Sequence, residues 1–148
     1  MKSYTKQHAQ AGVKTQLPSI ECWENQFTRY AVVTVIPEFT SICPKTRLPD
    51  FGTITIEYEP KDLCLELKSL KTYMNAYRNL GIFYENAVNK ICRDLHHACK
   101  PVWIRVTGDF NPRGGMRSSV TKAIGKKRWK RKTGYRAWEL PLAHSVPR

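Results

Sequence analysis

The sequence predicts an α+β domain in which an antiparallel sheet carries two helices on one face, in the order β-β-α-α-β-β. Two β-branched runs come first, YAVVTVI at residues 30–36 and GTITIEY at 52–58. Two stretches with helical apolar spacing follow, and a third β-rich run, VWIRVTGDF at 102–110, leads through a turn into a last strand-like segment. Helices grouped between two hairpins, rather than alternating with strands, are the pattern of helices segregated to one face of an antiparallel sheet.

Residues 1–26 mix Lys, Gln, Ser and one Pro without a period and are read as an N-terminal arm, with 27–148 as a single domain. The first strand is expected to stop at Pro37, because proline cannot donate to a ladder. The connection that follows, residues 37–51, holds three prolines and is too long for a tight turn. Ile54 and Ile56 alternate with Thr53, Thr55 and Glu57, which predicts a half-buried strand. Leu67, Leu70, Met74 and Tyr77 mark the apolar stripe of a first helix, and Val88, Ile91, Cys92, Leu95 and Cys99 that of a second, with Gly81 between them. NPRGG at 111–115 supplies turn chemistry before a strand at 116–121, and a further short strand is expected near 135–140.

With 148 residues, 41% hydrophobic and 11% aromatic, the chain can bury one core but not a separate dinucleotide-binding domain beside it. No apolar run approaches the roughly 20 residues a membrane helix needs, and the first residues lack the apolar centre of a signal peptide. A cytoplasmic protein with no membrane partner is the expectation. The five cysteines, at 22, 43, 64, 92 and 99, are odd in number and form no CxxC pair, so they are read as reduced thiols. His96 and His97 are adjacent on a helix and point about 100° apart, so no metal site is expected.

The net charge of +13 is local. Residues 113–136 hold ten basic and no acidic residues, whereas 1–112 hold 14 basic and 11 acidic. The densest run, KKRWKRK at 126–132, has the composition of a nucleic-acid contact, phosphates tracked by cations and a base stacked on Trp129. The same run also suits a solvated segment that keeps an oligomer soluble. Nucleic acid is a conceivable partner there but not the expected one.

Cys43 lies in the long connection, and Asp50 follows seven residues later in PDF. A thiol nucleophile needs a neighbour that handles protons, and a carboxyl on the same loop supplies one. A free cysteine is also a common small core residue, and Cys92 and Cys99 fit that description. ELKSLK at 66–71 sets Lys68, Ser69 and Lys71 at a helix start, either an anion site or lysines facing water. Glu85 at the start of the second helix suits the helix dipole in any case.

Taken together, FTSICPKTRLPDFGTITIEYEP at 39–60, ELKSLKTY at 66–73, YRNLGIFYEN at 77–86 and GDFNPRGG at 108–115 closely resemble the NADPH-dependent 7-cyano-7-deazaguanine reductases, nitrile reductases of the queuosine pathway. The resemblance implies the tunnelling fold, whose two-helix, four-strand subunits join their sheets into rings. It implies a homo-oligomer, two stacked rings of five, with sites between subunits. It implies Cys43 as the nucleophile that forms a thioimide on the nitrile, and Asp50 as proton donor. Glu85 would recognise the guanine-like base, with Tyr84, Leu65, Glu66 and Leu67 lining the same pocket. Lys68, Ser69 and Lys71 would face the phosphates of NADPH, two of which are consumed per nitrile. The sequence departs from the family at Tyr84, where many members have His, at Thr72, and at Arg47 and Leu48. Two other classes compete: an enzyme that adds ammonia to a nitrile base already in tRNA, and a non-catalytic RNA-binding module.

Overall fold

The computed structural model describes residues 3–125. The expected basic run 126–132, the short strand near 135–140 and His144 lie outside the described residues. Ten elements follow in order: α1 (Lys6–Gln10), β1 (Cys22–Glu24), β2 (Val32–Ile42), β3 (Pro49–Glu59), β4 (Leu63–Leu65), α2 (Leu67–Asn75), a 3-10 turn (Ala76–Asn79), α3 (Tyr84–Cys99), β5 (Trp103–Arg113) and β6 (Met116–Gly125). The main sheet is antiparallel throughout in the order β2-β3-β5-β6, so the helices are inserted between two hairpins as expected. β1 and β4 form a separate two-stranded pair, which stitches part of the N-terminal arm to the segment before α2. Three residues of strand in an aperiodic arm leave no pattern to read.

The core lies between the sheet and the helices. Ile54, Ile56 and Tyr58 of β3 and Ile104, Val106 and Phe110 of β5 meet Val88, Ile91, Cys92, Leu95 and Cys99 of α3, together with Leu70, Tyr73, Met74 and Tyr77. Gly108 sits where α3 crosses: a Cβ there would stand 2.7 Å from the Val88 side chain. All five cysteines are unbridged.

Four expectations are corrected. β2 does not stop at Pro37; it runs on to Ile42 through a break in register between Ile36 and Phe39. β2 is an edge strand, where proline is tolerated, and the bulge takes Pro37 and Glu38 out of the pairing with β3. The long connection therefore shrinks to residues 43–48. β3 is not half-buried, because as a central strand it also has Thr55, Glu57 and Glu59 covered, Glu57 by an ion pair with Arg105 and Glu59 by a bond from the Trp103 indole at 2.9 Å. Leu67 is 61% exposed: as the first residue of α2 it precedes the turn that packs on the core. NPRGG is mostly strand, with β5 reaching Arg113 across a register break after Phe110 and only Gly114 and Gly115 left as the turn. Both glycines have positive φ, 57° and 79°, as a two-residue hairpin turn of the primed type demands.

Candidate active site

Four separate parts of the chain converge on one cavity of about 590 Å³. Its lining includes Cys43 and Thr46 from the loop between β2 and β3, Asp50 from β3, Tyr84 and Glu85 from α3, and Phe110 and Arg113 from β5. Tyr4 closes one side, its ring 5.8 Å from that of Phe83 and 5.0 Å beneath the Lys45 ammonium. Four expected site residues, Cys43, Asp50, Tyr84 and Glu85, are thus brought together.

Local hydrogen bonds hold the loop that carries Cys43. The Cys43 amide donates to Leu48 O and the Arg47 amide to Cys43 O, both at 2.9 Å, which bends six residues into a closed loop. Arg47 takes φ 62° in that bend. Cys43 is only 5% exposed. Burial pushes its thiol up, but hydrogen bonds from the Thr46 hydroxyl and the Thr46 and Lys45 amides outweigh this and bring it below the ordinary value, with the Asp50 charge opposing. A thiol with this balance is a better nucleophile than the buried Cys92 and Cys99, whose thiols burial pushes up to about 11 and about 12.

Asp50 is 3% exposed, and its Oδ1 is ion-paired to Arg113. Its Oδ2 is buried with no hydrogen-bond partner. Burial raises its carboxyl above the ordinary value, Arg113 acts in the opposite sense, and Glu85 adds to the rise. A carboxyl raised in this way keeps its proton to higher pH than an ordinary aspartate does. Tyr84 stacks on Phe110 with ring centroids 4.3 Å apart and planes 22° from parallel, and its hydroxyl lies 3.3 Å from Ser118 Oγ. Glu85, in the first turn of α3, places a carboxylate beside this flat aromatic wall.

The remaining expected residues do not line this cavity in the same chain. Leu65 ends β4, and its amide donates to the Tyr58 hydroxyl at 3.0 Å. Glu66 caps α2: its carboxylate accepts from the amides of Lys68 and Ser69, each at 2.7 Å. The Ser69 hydroxyl donates to Glu66 O and accepts from the Glu21 amide. The helix amides expected to be open to an anion are therefore already taken, because a carboxylate at the N-cap is itself the anion that the helix start attracts. What remains for phosphates is the pair of exposed lysines, Lys68 and Lys71, three residues apart and so on neighbouring positions of one face.

A profile of the family described as "QueF-like protein" matches residues 49–129. A reductase named NADPH-dependent 7-cyano-7-deazaguanine reductase from Elusimicrobium minutum (strain Pei191) is 58% identical over 125 residues, 84% of this chain and 95% of that protein. The chain belongs to the QueF-like family. A second relative of the same name, from Chloroherpeton thalassium (strain ATCC 35110 / GB-78), is 53% identical over 104 residues, 69% of this chain and 90% of that protein. Among solved structures, the archaeosine synthase QueF-Like in its apo form superposes with a TM-score of 0.63 at 21% identity, over 68% of this chain and 99% of that one, and so shares the fold. With the fold thus shown, the QueF-like chain keeps the two helices over one face of its four-stranded sheet, and the cavity lies where β2, β3, α3 and β5 meet. Thr46, Phe110 and Arg113 had no sequence signal of their own. Arg113 falls within GDFNPRGG, but only the register break after Phe110 places it against Asp50.

Among the described residues, no helix is long and apolar enough to cross a membrane, and no three His, Cys, Asp or Glu side chains converge as a metal site.

Proposed function

We propose that this chain reduces the nitrile of 7-cyano-7-deazaguanine to the aminomethyl group with NADPH, through a thioimide on Cys43. The observation that carries the proposal is the convergence in one cavity of Cys43 and Asp50, from the segment joining β2 to β3, with Glu85, from the start of α3. The names of relatives up to 58% identical agree with it.

The Glu85 carboxylate accepts paired hydrogen bonds from the ring N–H and exocyclic amine of the base. The Tyr84–Phe110 wall gives the flat heterocycle a face to pack on. These contacts direct the nitrile toward Cys43, whose thiolate adds to the nitrile carbon while Asp50 protonates the nitrogen, so no anion accumulates there. NADPH, when bound, supplies the hydrides that take the thioimide to the amine. Lys68 and Lys71 suit a phosphate-bearing cofactor, since both ammonium groups are exposed on the first turns of α2 and the 2′-phosphate rewards a second positive charge.

In this proposal the complete site forms between copies. Residues 65–71 belong to a neighbouring subunit's contribution to the cavity, and β2 and β6, the two edges of the sheet, pair with neighbours to close rings. A doubled ring of five is the proposed assembly. The test is the loss of reduced-nicotinamide absorbance with the purified protein, NADPH and the nitrile base. Two NADPH consumed per nitrile, abolished in Cys43→Ala, is the expected result; turnover retained in Cys43→Ala would remove the covalent route.

A further inference from the structure

Arg113 pairs with Oδ1 of Asp50 and leaves Oδ2, buried and without a hydrogen-bond partner, on the wall of the cavity that holds Cys43. Arg113 reaches this place by an irregularity. β5 leaves its register with β6 between Phe110 and Arg113, across Pro112, and resumes it with Arg113 opposite Met116 around the glycine turn. A break of this kind re-aims a side chain, and here it turns a guanidinium onto a buried carboxylate. Among the described residues that line the cavity, Arg113 is the one cation.

We propose that Arg113 is a positioning residue of the reaction: it holds one oxygen of Asp50 so that the other faces the nitrile nitrogen, and it stabilises the carboxylate left when the proton is given. The role rests on the nitrile-reducing function proposed above. The step balances. The S–H bond of Cys43 breaks and its proton passes to Asp50; the sulfur pair forms the carbon–sulfur bond; one π pair of the nitrile moves onto nitrogen, which takes the proton from Oδ2. The net change is addition of S–H across C≡N, and nothing is oxidised or reduced.

The polar groups that share the cavity with Asp50 include Cys43 and Thr46 of the loop after β2, Tyr84 and Glu85 of α3, Tyr4 of the N-terminal segment and Arg113. Glu85 and burial both favour the protonated carboxyl, and Arg113 opposes them. Without Arg113 the carboxyl therefore keeps its proton to higher pH and is a poorer donor, and Oδ1 loses the contact that fixes its orientation. Arg113 is about half exposed, so its replacement leaves the core intact.

The test uses Arg113→Met and Arg113→Lys. Protein labelled at the aspartate carboxyl carbon is titrated by NMR, with the Asp50 signal assigned by its loss in Asp50→Asn. The rate of covalent adduct formation with 7-cyano-7-deazaguanine, without NADPH, is followed by intact mass. In Arg113→Met the Asp50 titration should move up by about one pH unit or more. Adduct formation should slow on the order of tenfold. Arg113→Lys, which keeps the charge but not the fork, should fall between. An Asp50 titration or an adduct rate unchanged in Arg113→Met would overturn the role of Arg113 alone. No adduct in the unsubstituted protein would overturn the functional proposal beneath it, so the two failures are distinct.

Discussion

Ile42 and Gly81 lie side by side as a parallel bridge, the Ile42 amide donating to Leu80 O at 3.0 Å and the Ile82 amide to Ile42 O at 2.9 Å. Ile42 immediately precedes Cys43, and Gly81 stands four residues before Glu85. The bridge thus ties Cys43, the proposed nucleophile, to the carboxylate proposed to hold the base. It is built from backbone alone, and a Cβ at Gly81 would meet nothing within 4 Å. Gly81→Ala should therefore keep the bridge, with activity unchanged and stability within about 1 kcal/mol. Gly108→Ala should behave in the opposite way. Its Cβ would stand 2.7 Å from both Val88 Cγ2 and the Phe110 ring, an overpacking that costs about 1–3 kcal/mol. Urea denaturation of the two variants separates them, and a Gly108→Ala protein as stable as the parent would contradict the packing described.

Thr46 is expected to control the reactivity of Cys43. Burial pushes this thiol up, and bonds from the Thr46 hydroxyl and the loop amides overcome that effect. Thr46→Val removes the hydroxyl and should raise the thiol's titration. At a fixed pH below the midpoint of the parent thiol, iodoacetamide should then alkylate Cys43 more slowly, on the order of severalfold. Thr46→Ser should restore the rate. An identical pH dependence in Thr46→Val and the parent would mean that the loop amides alone set the thiol.

The sheet and helices were legible because they are long and periodic. Ile54, Ile56 and Tyr58 alternate, and Val88 to Cys99 keep one helical face, so burial of either face requires the arrangement observed. Errors fell where neighbours outside the local pattern decide. Pro37 is tolerated because β2 is an edge, and Glu57 and Glu59 are buried because Arg105 and Trp103 stand opposite. Cys43, Asp50 and Glu85 were identified by resemblance, which carries spacing in the chain but not contact. Arg113 could not be placed from sequence, since its partner is 63 residues away and only a register break directs it there.

The cap of α2 predicts an acid-linked stability. Bonds from the Ser69 and Lys68 amides lower the Glu66 carboxyl below its ordinary value of 4.5. A depressed carboxyl stabilises the fold fully above its unfolded value, and the effect is lost as pH falls through the folded value. The melting temperature of Glu66→Gln should thus lie below that of the parent at neutral pH, and the gap should close on acidification below about 4.5. A gap independent of pH would assign the effect to something other than the charge.

A second polar group, half-buried on α3, should matter to stability rather than chemistry. Asp94 Oδ2 accepts from the Tyr73 hydroxyl at 2.8 Å and pairs with the Lys90 ammonium at 2.9 Å, while the Tyr73 and Tyr77 hydroxyls lie 2.9 Å apart. Tyr73, Tyr77 and Lys90 are all buried, so Asp94 ties α2 to α3 and the Tyr73 hydroxyl extends the tie to the 3-10 turn. Asp94→Ala leaves the buried Lys90 ammonium and the Tyr73 hydroxyl without that acceptor, a loss of about 3 kcal/mol. Asp94→Asn keeps an acceptor for Tyr73 but not the charge for Lys90, and should fall between the parent and Asp94→Ala. Chemical denaturation gives the order directly. Because Asp94 does not line the cavity at Cys43, the folded fraction of each variant should keep the parental KM for the nitrile; a KM that rises with the loss of stability would show that the helix tie also holds the Gly81 bridge and, through it, Glu85.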